Sequence, residues 1–442
     1  MRPRTTQTAP PGGAEGLLKE QYASLLEEAR KRTLWLVQPV SVEDIERVHS
    51  TLLSPLVWDL GHIAAFEDLW LCQQAGALEP LRPDLSDVYD ATLTPRSDRG
   101  ELPYLNHAEA LAYMTAVRER ALEVLARADF SEDAGRLTAH GFVWDMLLQH
   151  EHQHNETMLQ TLMLAAPGVL SPRGRPLPAP PPGLRGPDMV RVEGGACILG
   201  FDPDGFAYDN ERPSHELDVP GFELDRLPVT NGDYMDFVEE GGYRRREWWS
   251  EEGWAWREAE SVELPHYWTA DGEVRAFDRT APLDRDRPVM HVSWYEADAY
   301  ARSRGKRLPT EAEWEKAASW DESAGEQRAY PWGDHEPGAR HANLDQSAFG
   351  PARVGAYPAG VSPYGALGMV GDAWEWTASD FTAYPGFSSY PYREYSEIFF
   401  GGDYKVLRGG SWATRPSVAR ASFRNWDYPV RRQIFSGFRC AA

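Results

Sequence analysis

Residues 141–165, GFVWDMLLQHEHQHNETMLQTLMLA, narrow most what this chain can fold into. After its first residue the stretch holds neither Gly nor Pro, and it is long enough for about six or seven helical turns. Val143, Leu147, His150, His154 and Met158 recur at spacings of three and four, so they share one helix face. His150 and His154 interrupt an otherwise apolar stripe. One stacks above the other, so both imidazoles can reach one point in space. His152 lies about 200° round from His150 and cannot join them. The pair is either two of the three ligands of a three-histidine metal site or two hydrogen-bonded core histidines, and this helix by itself leaves both open.

The chain on either side supplies the context. Residues 1–14 contain Pro and Gly and read as a disordered tail. Leu18, Tyr22, Leu25 and Ala29 give a helical stripe from Gly16 to about Leu36. Ser54 and Pro55 read as N-cap and first residue of a second helix, LVWDLGHIAAFEDLWLCQQA, which carries His62. Asp84 to Tyr104 is irregular and contains Arg96 and Arg99. Asn106 with Glu109 makes a capping box for a third helix, with Ala110, Tyr113, Val117, Ala121 and Leu125 on its inner face. The His150/His154 helix is the fourth. Residues 15–170 are thus expected to form an up-down four-helix bundle, an architecture whose core hosts metal sites built from facing helices. Three inward histidines on two such helices leave positions open for water, substrate or O2. That set suits catalytic Zn(II) and non-haem Fe(II) alike. Gln153 and Glu156 lie beside the histidines as supporting groups or as a solvated face.

Residues 171–188, SPRGRPLPAPPPGLRGPD, are a Pro-rich linker. From Met189 on, short strand-like pieces alternate with Gly-, Pro- and Trp-rich loops. Helices are expected at Asn231 to about Glu240, at Trp294 to about Arg304 and at EAEWEKAAS, the last capped by Thr310 with Glu313. This is an α+β domain with little regular structure. Seventeen tryptophans and nineteen tyrosines provide the large side chains that pin such loops.

A formal net charge of −23 argues against a nucleic-acid or anionic-membrane surface. No run of about 18 apolar residues is present, and the polar start MRPRTTQTAPPGGAEG has no secretory pattern. Cys72, Cys197 and Cys440 are far apart, which fits reduced thiols. A cytoplasmic protein is expected, in touch with neither nucleic acid nor membrane, with a monomer as the working assumption.

His62 in WDLGHIAAFEDLW, together with HEHQHNE in an HxxxHxE pattern, resembles the DinB-like metal-binding bundles. The ordered series KRLPTEAEWEKAA, YPWGD, WEWT, LRGGSW and GFRC resembles the formylglycine-generating-enzyme/sulfatase-modifying domain, a C-type-lectin-like fold. These motifs read as scaffold, so they identify a fold and not a chemistry. The two domains in this order resemble the iron-dependent sulfoxide synthases of ergothioneine biosynthesis, over about residues 16–442. That family uses Fe(II) and O2 to join a thiol sulfur to the imidazole C2 of hercynine (Nα-trimethylhistidine), with oxidation to the sulfoxide.

The resemblance implies residue roles. His62, His150 and His154 become iron ligands. The segment YPYREYSEIFFGG supplies a catalytic tyrosine, taken as Tyr392 with Tyr395 beside it and Tyr390 as the alternative. In FRNWDYPVRRQ, Asn425 and Trp426 hold the trimethylammonium and carboxylate end of hercynine, with Gln153 on its imidazole. Asp427 and Arg431, together with Arg96 and Arg99, grip the thiol. Chemistry agrees with these roles. A quaternary ammonium donates no hydrogen bond and is held by aromatic faces. A γ-glutamyl-cysteine carries two carboxylates and one ammonium, which match Arg forks and Asp427. Free cysteine is the alternative donor. A metal-dependent thiol transferase of the DinB-like type is the alternative function. Formylglycine generation would need reactive cysteines in the second domain, and a calcium lectin would need EPN- or WND-like ligands that this chain lacks.

Overall fold

The computed structural model describes residues 11–182, 188–202 and 206–442. It divides into two units, Met1–Thr161 and Leu162–Ala442. The first contains α1 (Pro11–Val37), α2 (Val42–Glu46), α3 (Leu56–Glu67), α4 (His107–Arg127) and most of α5 (Phe142–Leu164). α3 runs on into a π-helical stretch, Asp68–Ala75. Because α1 begins at Pro11, the last residues of the expected tail are helical, while residues 1–10 of that tail lie outside the described residues.

Local sequence accounts for much of this. The Asn106 side chain accepts from the Glu109 N–H, and the Glu109 carboxylate accepts from the Asn106 N–H. The residues expected on the inner face of α4 are all buried. Two details differ. Pro55, not Ser54, occupies the N-cap of α3; the Ser54 hydroxyl instead accepts a hydrogen bond from Arg99 at 2.8 Å. On α1, Leu26 is buried and Leu25 is 39% exposed. Polar contacts with α5 set this rotation. Tyr22 donates to Asp145 at 3.0 Å and Thr33 to Glu151 at 2.8 Å, which turns the stripe Tyr22–Leu26–Ala29–Thr33 inward.

The second unit has four helices among its described residues: α6 (Asn231–Glu239), α7 (Glu251–Ala259), α8 (Trp294–Ser303) and α9 (Glu311–Ser319). α7, capped by Ser250, is unanticipated, because its tryptophans obscure any helical stripe. The strands are short: β1 (Met189–Val192), β2 (Gly195–Leu199), β3 (His215–Val219), β4 (Phe222–Asp225), β5 (Glu273–Ala276), β6 (Arg279–Pro282), β7 (Trp320–Asp321), β8 (Glu326–Gln327), β9 (Trp374–Asp380), β10 (Lys405–Arg408), β11 (Asn425–Asp427) and β12 (Ser436–Gly437). The largest sheet has order β11-β10-β9-β12, with β12 parallel to β9. Antiparallel pairing of β11 with β10 sets Asn425 opposite Leu407 and Asp427 opposite Lys405. One core of this unit gathers Val192, Phe222, Leu224, Trp314 and Met369. Residues 171–182 of the expected linker form neither helix nor strand, and residues 183–187 of it lie outside the described residues.

Four of the five motifs of the second unit meet in buried ion pairs. Glu375 of WEWT accepts from Arg439 of GFRC and from the Trp314 indole of α9, each at 2.7 Å. Arg408 of LRGGSW pairs with Glu315 of α9, and both side chains are fully buried. Gly409 sits at φ +92°, and a Cβ there would lie 2.4 Å from the Met369 carbonyl, so that turn requires glycine. The scaffold reading of these motifs therefore holds.

Candidate metal centre

α3 and α5 bring His62, His150 and His154 together, with one ligand atom from each lying within 4.8 Å of the others. The Nε2 atoms of His62 and His150 are 3.2 Å apart, too close for two donors and suited to two lone pairs facing a shared cation. His62 is held through Nδ1 by the Tyr89 carbonyl at 2.7 Å. His154 is held through Nδ1 by the Asp59 carboxylate at 3.0 Å. In both cases the partner leaves Nε2 to point inward, the arrangement by which metal-binding histidines are usually oriented. Asp59 is fully buried three residues before His62, so one turn of α3 supplies one candidate ligand and the support of another.

Rings pack around the imidazoles. Phe66 stacks on His150 at 3.7 Å and 10°. Trp58 stacks on His62 at 4.8 Å and 12°, and the Arg99 guanidinium lies 3.8 Å from the Trp58 ring centre. Tyr89 reaches His62 only because position 61 is glycine: a Cβ on Gly61 would lie 2.2 Å from the Tyr89 ring. Burial, then the neighbouring His154, pulls the pKa of His62 and of His150 well below the ordinary imidazole range. Both rings therefore stay neutral, with lone pairs free. Three imidazole nitrogens converging in this setting, two of them on buried neutral rings, fit a divalent transition metal.

Asp59, Tyr89, Phe66 and Trp58 do not stand out in the sequence. The one signal for Asp59 is its i−3 spacing from His62. His152, on the far face of α5, is also buried but lies outside the cluster. Gln153 is half-buried, and Glu156 is buried, so a solvated-face role for Glu156 fails.

Arg99 is buried, and its hydrogen bonds run to the Thr94 carbonyl at 2.9 Å, the Ala91 carbonyl at 3.3 Å and Ser54. None of these is a carboxylate. Burial, reinforced by the nearby Arg96, pulls the Arg99 pKa down to about 10. Arg96 itself is exposed.

The second unit assembles its own cluster. Trp426 of β11 stacks on Phe381 at 4.1 Å and meets Tyr395 edge-on at 5.8 Å. Tyr395 stacks on Tyr208 at 4.0 Å, and Tyr392 packs against Tyr395 at 6.2 Å. Tyr392, Tyr395 and Trp426 thus belong to one half-buried aromatic group, while the Tyr390 N–H donates to buried Asp209 at 3.2 Å. Asn425 accepts from the Trp426 N–H at 2.9 Å, and Asp427 lies 3.6 Å from Arg431. Cys197 and Cys440 are buried, and burial pushes the Cys197 thiol up to about 11 and Cys440 well above the ordinary thiol range. Neither is suited to act as a nucleophile.

Comparison with known proteins agrees with both halves. Residues 25–158 match the DinB superfamily model, and residues 175–442 match the sulfatase-modifying factor enzyme 1-like domain. A formylglycine-generating enzyme of Thermomonospora curvata is 33% identical over 58% of this chain. Hercynine oxygenase of Mycolicibacterium smegmatis is 46% identical over 96% of this chain and 99% of its own length. Hercynine oxygenase of Mycobacterium tuberculosis is 47% identical over 96% of this chain and 98% of its own length. With both domain types in one chain, and with this identity along nearly its whole length, the protein is an oxygenase and belongs to the hercynine oxygenase family.

Proposed function

We propose that the protein joins the sulfur of γ-glutamyl-cysteine to the imidazole C2 of hercynine and oxidises that sulfur, using Fe(II) at His62, His150 and His154. The reaction balances as hercynine plus thiol plus O2 giving sulfoxide plus water. The C–S bond replaces one C–H and one S–H bond, and O2 takes up four electrons. When bound, the iron supplies the redox chemistry of O2. The observation that carries the reading is the convergence of three imidazoles, two of them oriented by Tyr89 and Asp59.

The chain's own residues do the rest. Trp426 and the tyrosines beside it offer aromatic faces to the trimethylammonium group, which no hydrogen-bond acceptor can satisfy. Asn425 meets the hercynine carboxylate, and Gln153 meets its imidazole. The Tyr392 hydroxyl donates a proton where oxygen is reduced, with Tyr395 beside it. Arg99, a buried cation with no carboxylate on it, and Arg96 beside it take the carboxylates of the thiol. Asp427 takes the ammonium, with Arg431 adding a further cation.

The test is reconstitution of metal-free protein with Fe(II), Zn(II) or Mn(II), followed by O2 uptake and product mass with hercynine and each thiol. The expected result is O2-dependent sulfoxide only with Fe(II) and hercynine, and a lower KM for γ-glutamyl-cysteine than for cysteine. Thiol transfer without O2 uptake would overturn the reading. His150→Ala and His154→Ala should each lose iron and activity with the bundle still folded, whereas His152→Ala keeps the metal.

A further inference from the structure

The first unit holds a second polar cluster that the chemistry above does not use. Arg30 of α1, Glu67 of α3, Arg118 of α4 and Glu151 of α5 form one network, a single residue from each long helix. Arg30 binds Glu67 at 2.6 Å and Glu151 at 3.0 Å. Arg118 binds Glu67 at 3.1 Å and Glu151 at 3.3 Å. Thr33 adds a hydrogen bond to Glu151 at 2.8 Å, and the Met114 carbonyl accepts from Arg30 at 3.0 Å. Glu67 and Glu151 are almost wholly buried, and two cations balance two carboxylates.

The position of the network gives it a role. Glu151 directly follows His150. Glu67 directly follows Phe66, whose ring lies on the His150 imidazole. His150, Glu67, Arg118 and Glu151 line the same narrow gap. Of the three histidines, His150 alone lacks a hydrogen-bonded support: its Nδ1 is buried with no partner, whereas His62 has Tyr89 and His154 has Asp59. With no partner on Nδ1, the His150 ring is held by its backbone, the Phe66 face and the neighbouring imidazoles. Buried ion networks add little net stability over apolar packing, but they tolerate only one geometry.

We propose that the Arg30–Glu67–Arg118–Glu151 network is the positioning element of His150, locking α3 and α5 in the register that keeps Phe66 stacked on the ring. The proposal rests on the reading of the three histidines as a metal centre. Arg30, Glu67, Arg118 and Glu151 are positioning residues and touch no reactant.

The experiment compares Glu67→Gln, Thr33→Val and Leu125→Ala with the wild type in the full chain. Leu125 is a buried α4 residue about two turns beyond Arg118 and serves as a control for stability loss alone. Each variant is measured for Tm, for Fe(II) and Co(II) affinity by chelator competition, and for the His150 side-chain conformation in metal-free crystals. Glu67→Gln should bind metal about ten- to hundredfold more weakly, the range for lost supporting contacts at metal sites. Its His150 ring should leave the Phe66 stack. Thr33→Val should move both readouts in the same direction by less. Leu125→Ala should lower Tm and bind metal like the wild type. Equal metal affinity in Glu67→Gln and Leu125→Ala, with His150 still on Phe66, overturns the proposal. If Glu67→Gln does not fold, Thr33→Val decides by the same two readouts. A wild type that takes up no metal sinks the metal reading instead, and the His150 conformation in the variants then decides the proposal alone.

Discussion

Single residues matter here through what they hold in place. Asp59 makes one hydrogen bond to His154, from a fully buried position. Asp59→Ala frees that ring to turn, so metal affinity should fall by about ten- to hundredfold while the helical circular-dichroism signal stays. Chelator competition measures it, and unchanged affinity would mean that His154 is fixed by packing alone. Arg96 and Arg99 invite a paired comparison. Losing a charge-assisted contact should cost a few kcal/mol, on the order of a hundredfold in KM for γ-glutamyl-cysteine, with the KM for hercynine unmoved. Arg96→Ala should show this without loss of Tm, since Arg96 is exposed. Arg99→Ala should show it with a lower Tm, since Arg99 also ties Ser54, Ala91 and Thr94 together. A wild type that prefers free cysteine, with Arg96→Ala unaffected, would remove both arginines from the thiol site.

At the scale of elements, the bundle helices separate local from distant control. The capping box of α4 is local and exposed, so Asn106→Ala should cost about 1 kcal/mol of stability and leave metal affinity alone. Gly61 on α3 is different. Its added methyl in Gly61→Ala would meet the Tyr89 ring, whose residue holds His62 through its carbonyl. That variant should lose about 1–3 kcal/mol in denaturant unfolding and also bind metal more weakly. Two substitutions at helix residues thus part on metal affinity, and equal affinity in both would show that the Tyr89 contact does not set His62.

For the whole molecule, the charge of −23 coexists with arginines drawn inside. Arg408, Arg424 and Arg439 of the second unit are fully buried and paired with Glu315, Glu311 and Glu375. Each buried cation is matched by a buried carboxylate, so these pairs leave the net acidity at the surface. The three cysteines are likewise inside. Native protein should give no rapid reaction with a disulfide reagent, and Cys197→Ser and Cys440→Ala should retain the O2-dependent reaction. Loss of turnover in a folded Cys440→Ala would restore a formylglycine-type cysteine chemistry as a contender.

The sequence by itself determined the features that depend on neighbours three and four residues apart. The helix of His150 and His154, their common face, the caps at Asn106 and Thr310 and the inner stripe of α4 follow from helix geometry alone. The ordered motifs determined the kind of second domain, because four of them carry the buried charges that tie its scaffold together. Tertiary structure decided the rest. It turned Leu26 inward in place of Leu25, moved Ser54 from a cap to a partner of Arg99, and chose Asp59, Tyr89 and Phe66 to steady the three imidazoles. It also joined Arg30, Glu67, Arg118 and Glu151, one from each of four helices, which spacing along the chain does not pair. The physical reason is range. A helix face is set by covalent geometry within a few residues, whereas a buried charge or an oriented ring depends on a partner that packing alone brings close.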